Sequence, residues 1–122
     1  MDLSSDFIKE DLVEINIEGR TFKYKPANAG EETEWLNEYM YEENGIIKQD
    51  YARSNKCRLR NIMEVPYTKE TIKTTLGIEQ GWKELNLENR WNLLSKLRPT
   101  ILRKLIKEMN KIDDALDEEK KT

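Results

Sequence analysis

The chain has 122 residues, no histidine, one cysteine, 37% charged residues and a net charge of −3. A chain of this length makes one domain whose core removes about two-thirds of the chain's surface from water. The composition excludes Ser-His-Asp and Cys-His catalysis, imidazole metal sites and intrachain disulfides. Its acidic balance does not suit a whole-domain nucleic-acid binder.

Residues 1–10 read as a leader, with Phe7 and Ile8 available to tie it to the domain. The first residues lack the basic and apolar regions of a signal peptide. No run approaches the length of a membrane-spanning helix. The lone Cys57 fits a reducing setting, so a cytoplasmic protein is expected.

Residues 12–25 carry the clearest strand signal. Val13, Ile15 and Ile17 alternate with Glu14, Asn16 and Glu18; after Gly19, Phe22 and Tyr24 alternate with Thr21, Lys23 and Lys25. Two such runs around a short turn predict a β-hairpin with one buried face, ended by Pro26. A lone hairpin is marginal in water, so that face needs helices against it.

A helix follows, capped by Asn28 with Glu31 three residues on. Trp35, Leu36, Tyr39 and Met40 form its apolar stripe, and Asn44-Gly45 reads as its stop. Ile46-Ile47 is a short link. Asp50 caps a second helix, expected to reach Met63 and to be closed by Pro66. Thr68 caps a short helix through Leu76, with Gly77 as a left-handed stop. Residues 78–85 read as helix or loop, with Trp82 and Leu85 as an anchoring turn. Asn86 caps a helix over 87–97, and Pro99 opens the last helix. There Ile101, Leu102, Leu105, Ile106, Met109, Ile112 and Leu116 make the strongest amphipathic pattern in the chain. The expected fold is α+β and predominantly helical: an N-terminal β-hairpin followed by four to five helices. The globular domain spans 11–116, with the helical body over 29–116 and a charged flexible tail over 117–122.

Charge is unevenly placed. Glu31, Glu32, Glu34, Glu38, Glu42 and Glu43 form an acidic block. Lys48, Arg53, Lys56, Arg58 and Arg60 follow as a basic block, and a charged C-terminal segment begins at Asp113. Solvated helix faces account for most of this, because surface ion pairs are common and weak. The five glycines form no phosphate loop, and no calcium loop occurs. The glutamate pairs sit on an exposed helix face, where general acid/base work is not expected. Cys57 has cationic neighbours that would favour a thiolate, yet no base or resolving cysteine accompanies it. No catalytic residue, cofactor or metal is therefore assigned.

The order of features resembles the small tail assembly chaperones and related tail-accessory proteins of long-tailed phages and proviruses. The resemblance runs over 12–116. It rests on "VEINIEGRTFKYKP", then "EETEWLNEYM", then a "W-x-x-L…R…L…L-x-P…I" pattern carried by Trp82, Leu85, Arg90, Leu94, Leu97, Pro99 and Ile101. It implies a non-enzymatic assembly factor that binds tape-measure or tail-tube proteins, often as an oligomer, with no catalytic site to carry over. The candidate partner-binding residues are Trp82, Trp91, Ile101, Leu105, Met109, Ile112 and Leu116, the second half of the last helix being the stretch expected to face another chain or form a homo-oligomer seam. The alternative is a small nucleic-acid-binding regulator, with Arg53, Lys56, Arg58 and Arg60 touching phosphates and Tyr51 available to stack. An acidic helix beside the basic one argues against it. A third reading, an enzyme using clustered carboxylates and a divalent cation, requires several acids to converge in a pocket.

Overall fold

A computed structural model describes residues 3–8 and 11–120, with the side chains of all of these except Ser5 and 116–120. The expected hairpin is present. β1 (Val13–Ile17) and β2 (Arg20–Tyr24) pair antiparallel, Ile15 opposite Phe22 and Val13 opposite Tyr24. Glu18 and Gly19 both take positive φ, 50° and 82°, as a two-residue turn matched to the strand twist requires.

Helix starts fall where the capping residues are. α1 (Ala29–Tyr39) carries the full capping box: Asn28 accepts from the Glu31 amide at 2.9 Å and Glu31 accepts from the Asn28 amide at 3.2 Å. Asp50 caps α2 (Tyr51–Leu59), Thr68 caps α3 (Lys69–Leu76) and Asn86 caps α4 (Leu87–Ser95). Gly77 ends α3 in the left-handed conformation. Residues 82–84 form a 3-10 turn, and Pro99 begins α5 (Pro99–Lys120).

Two stretches differ from the expected helices. Asn44-Gly45 is not a helix stop but the turn of a second hairpin, between β3 (Met40–Glu43) and β4 (Ile46–Gln49). Both turn residues have positive φ, 54° and 79°. Asn-Gly is the sequence most suited to that turn, and Ile46-Ile47 has two β-branched side chains that favour a strand. The second helix stops at Leu59 rather than Met63. Residues 62–64 form β5 (Ile62–Glu64), which joins the outer edge of β2 to give the sheet order β1-β2-β5. Lys25 and Asn61 extend that edge, the Lys25 amide donating to the Asn61 carbonyl at 2.8 Å and the Asn61 side chain donating back at 3.0 Å. Ile62 gains complete burial by leaving the helix.

The sheet presents Ile15, Ile17, Phe22, Tyr24 and Ile62 to one core, where they meet Ile101, Leu105 and Met109 of α5. Ile72, Trp82, Leu85, Leu93 and Leu94 close the other sides. A smaller cluster of Ala27, Trp35 and Cys57, with Tyr39 against it, joins α1 to α2. Among the described residues helix makes up 54% and strand 19%, so the predominantly helical α+β class holds, with three more strands than expected. Phe7 does not tie the leader down: it is 75% exposed, and Ile8 is half-buried. The α5 backbone is helical to Lys120; the last two residues of the charged tail lie outside the described residues. Among the described residues no helix is long and apolar enough to cross a membrane.

Candidate partner-binding surfaces

The candidate contacts on α5 are covered by the chain itself. Ile101, Leu105 and Met109 are buried in the main core, and Ile112 packs half-buried against it. The sheet and the short helices supply enough apolar surface to cover the first part of the stripe, so Ile101, Leu105 and Met109 present no face to a partner, while Ile112 stays partly exposed. The Leu116 side chain lies outside the described residues. Trp82 is likewise core: its indole N–H donates to the Ile62 carbonyl at 3.2 Å and its ring lies 5.0 Å from the Arg90 guanidinium. Trp91 is half-buried, packed against the same core, with the Lys56 ammonium 5.3 Å from its ring centroid.

The register of α5 hides a polar anchor that sequence reading assigned to the charged end. Asp113 follows Leu105 and Met109 at steps of four, so it lies on the buried stripe and is 7% exposed. Its carboxylate accepts from the Tyr24 hydroxyl at 2.6 Å, from the Ala27 amide at 3.0 Å and from the Arg58 guanidinium. Arg58 also reaches Glu32 at 3.7 Å and lies 5.8 Å from the Trp35 ring. Burial, reinforced by the Asp113 hydrogen bond, holds the Tyr24 phenol far above its ordinary range. Burial opposes the charge on Arg58, but Asp113, Tyr24 and Glu32 outweigh it and raise its pKa. This cluster locks α2 to α5 and to the end of β2. The signal was present in the sequence: an acid in step with the strongest apolar stripe.

Of the four candidate phosphate contacts, Arg58 is therefore turned inward. Arg53, Lys56 and Arg60 share the outer face of α2 at steps of three and four. Arg60 is held by Glu38, at 2.7 Å and 3.0 Å from its two carboxylate oxygens. The Arg60 hydrogen bond, then that of Cys57, keeps the Glu38 carboxyl below the usual carboxylate range. The Cys57 thiol donates to Glu38 at 3.2 Å, and burial together with that bond pushes it up to about 11. It is a protonated, packed side chain, not a nucleophile.

Three large, highly exposed apolar residues lie in or next to the second hairpin. Ile46 is 61% exposed, Ile47 71% and Tyr51, at the start of α2, 73%. Alternation places Tyr41 and Ile46 on one face of the ribbon and Met40 and Ile47 on the other. The ribbon has only two strands, so both outer edges carry unpaired backbone groups. It is supported by the ladder, a Lys48–Glu43 ion pair at 3.1 Å, and the Asp50 amide donating to the Tyr39 carbonyl at 2.8 Å where it leaves the body. Tyr51, the side chain expected to stack on a base, lies beside it in sequence. Sequence reading missed the ribbon because its Asn-Gly turn was read as a helix stop.

Among the described residues no three acidic or cysteine side chains converge in a way that would hold a metal ion. The chain matches no protein-family model, no curated protein and no solved structure.

Proposed function

We propose that this chain is a non-enzymatic assembly factor that grips another protein with the β3–β4 hairpin. The observation that carries the reading is the hairpin itself: a two-stranded ribbon, exposed on both faces and both edges, with Ile46 and Ile47 in solvent. Isolated ribbons of this kind are marginal in water. A partner strand added to an open edge supplies the missing backbone bonds, and pockets for Ile46 or Ile47 supply apolar burial. The lack of an imidazole base and the burial of the single, protonated thiol support the non-enzymatic reading.

The sequence resemblance to tail assembly chaperones names the partners to try first, the tape-measure and tail-tube proteins of the source genome. Co-purification of each with the wild-type chain and with the double variant Ile46→Asp/Ile47→Asp tests the proposal. Burial of two isoleucines is worth about 3 kcal/mol or more, so losing it weakens the complex roughly 100-fold. Equal recovery with the variant removes the hairpin from the interface, and no recovery with either partner removes the tail assignment.

A further inference from the structure

A second surface lies between α2 and α4, apart from the hairpin. A cavity of about 300 Å³ is floored by Trp91, Leu94 and Leu59, with Leu87 at its side. Lys56, Arg60 and Arg90 stand around it against one carboxylate, Glu88. A second cavity of about 320 Å³ adjoins it and shares Lys56 and Arg60, with Arg53 and Glu38 beyond. Together they form a groove crossing the outer face of α2.

The cations are not neutralised in proportion. Lys56 and Arg90 have no carboxylate within ion-pair distance among the described residues. Arg90 is fixed in place: its Nε donates to the Trp82 carbonyl at 3.1 Å, a terminal nitrogen reaches the Lys83 carbonyl at 3.4 Å, and its guanidinium stacks on Trp82. Arg53 donates to the Glu38 carbonyl at 3.4 Å and has no carboxylate within ion-pair distance among the described residues. A chain with a net charge of −3 thus gathers excess positive charge around a cavity lined by the half-buried Trp91 indole.

We propose that this groove binds an acidic peptide segment, seating one aromatic or large aliphatic side chain on Trp91 beside Leu87 and laying flanking carboxylates against Lys56 and Arg90. The charge pattern separates a peptide from a nucleic acid. Glu88 and Glu38 lie along the groove and repel a continuous phosphate backbone, whereas a peptide places its carboxylates singly, at the free cations. The size agrees: about 300 Å³ is at the lower end of ligand pockets and holds one large side chain rather than a whole cofactor.

Selection of a random peptide library on the intact wild-type chain tests this, followed by fluorescence anisotropy of the enriched peptides. Enriched sequences are expected to carry two or more Asp or Glu within three residues of an aromatic or large aliphatic residue. Lys56→Glu should weaken them about 10-fold and Trp91→Ala by a similar factor, with affinity falling as salt rises. Lys56 is exposed and free of carboxylates, so its variant keeps the fold, and a matched circular dichroism spectrum checks this. Ile46→Asp/Ile47→Asp should bind the same peptides as wild type, which keeps this site distinct from the hairpin. Enriched peptides without an acidic bias, unchanged affinity in Lys56→Glu, or tighter binding of an oligothymidylate than of any enriched peptide would overturn the proposal.

Discussion

Asp113→Ala is the substitution with the largest expected effect on the fold. It removes the acceptor for three donors at once: the Tyr24 hydroxyl, the Ala27 amide and the Arg58 guanidinium. The Tyr24 and Ala27 groups are buried, and the Arg58 side chain is 19% exposed, so water replaces the lost partner poorly. Removing one member of a buried ion pair costs about 3–5 kcal/mol. Set against a total stability of about 5–15 kcal/mol for a domain, that is a large fraction. At about 3–5 °C per kcal/mol for a chain of this size, Tm should fall by roughly 10–20 °C. Asp113→Asn keeps one oxygen acceptor but leaves Arg58 only the more distant and exposed Glu32, and should cost about 2–3 kcal/mol. Arg58→Met relieves that charge, so Asp113→Asn/Arg58→Met should be less destabilised than the sum of the single changes, by about 1 kcal/mol or more. Urea unfolding followed by tryptophan fluorescence measures all of these, with Trp35 beside Arg58 as a local reporter. A cost below about 1 kcal/mol for Asp113→Ala would refute the reasoning, because a solvated carboxylate behaves that way.

The other predictions are smaller. Cys57 should resist iodoacetamide at pH 8 in the folded chain and react at once in urea, because burial and the Glu38 bond raise its pKa to about 11. Tyr67 buries a hydroxyl with no hydrogen-bond partner among the described residues while its ring packs edge-on to Phe22 at 5.9 Å. Tyr67→Phe should therefore change stability by less than about 1 kcal/mol, in either direction, in a thermal melt. Glu38 has a folded pKa lowered by Arg60, so its contribution is present above the unfolded carboxylate value and is lost as pH falls through the folded one. Glu38→Gln should flatten the acid limb of stability below about pH 4.5, by under about 1 kcal/mol since the carboxylate is well exposed.

Local signals were legible wherever one residue type meets one backbone need. Asn28, Asp50, Thr68 and Asn86 each cap the helix assigned to them, and Gly77 ends α3 with φ 74°. The alternation from Val13 to Tyr24 gave both the strands and the buried face. Competition between local signals was harder to read. Asn44-Gly45 suits either a helix end or a hairpin turn, and the two isoleucines after it decide for the hairpin through pairing with Glu42 and Glu43. Ile62 and Met63 continue a helical spacing, yet the free edge of β2 draws Ile62 into the sheet. That contact joins segments 38 residues apart, and no local pattern encodes it.

The site shows the same division. The apolar stripe of α5 is plain in the sequence, but whether a stripe faces a partner or its own core depends on what the rest of the chain supplies. Here the three-stranded sheet and Trp82, Leu85, Leu93 and Leu94 supply the cover. Arg58 and Arg60 are two positions apart and look equivalent in sequence. The helix turns one inward to Asp113 and the other outward to Glu38. The surface proposed for a partner is accordingly the hairpin of residues 40–49 rather than the buried first part of the α5 stripe.

The central claim is that this hairpin is the contact with another protein. Hydrogen exchange of residues 40–49, measured on the free chain and in complex with the tape-measure or tail-tube protein, tests it most directly. In the free chain the outward-facing amides of β3 and β4 should exchange nearly as fast as unstructured backbone. Bound, they should slow at least about 10-fold, together with Tyr51. Protection confined to α5 or to other segments, with residues 40–49 unchanged in the complex, would contradict the account.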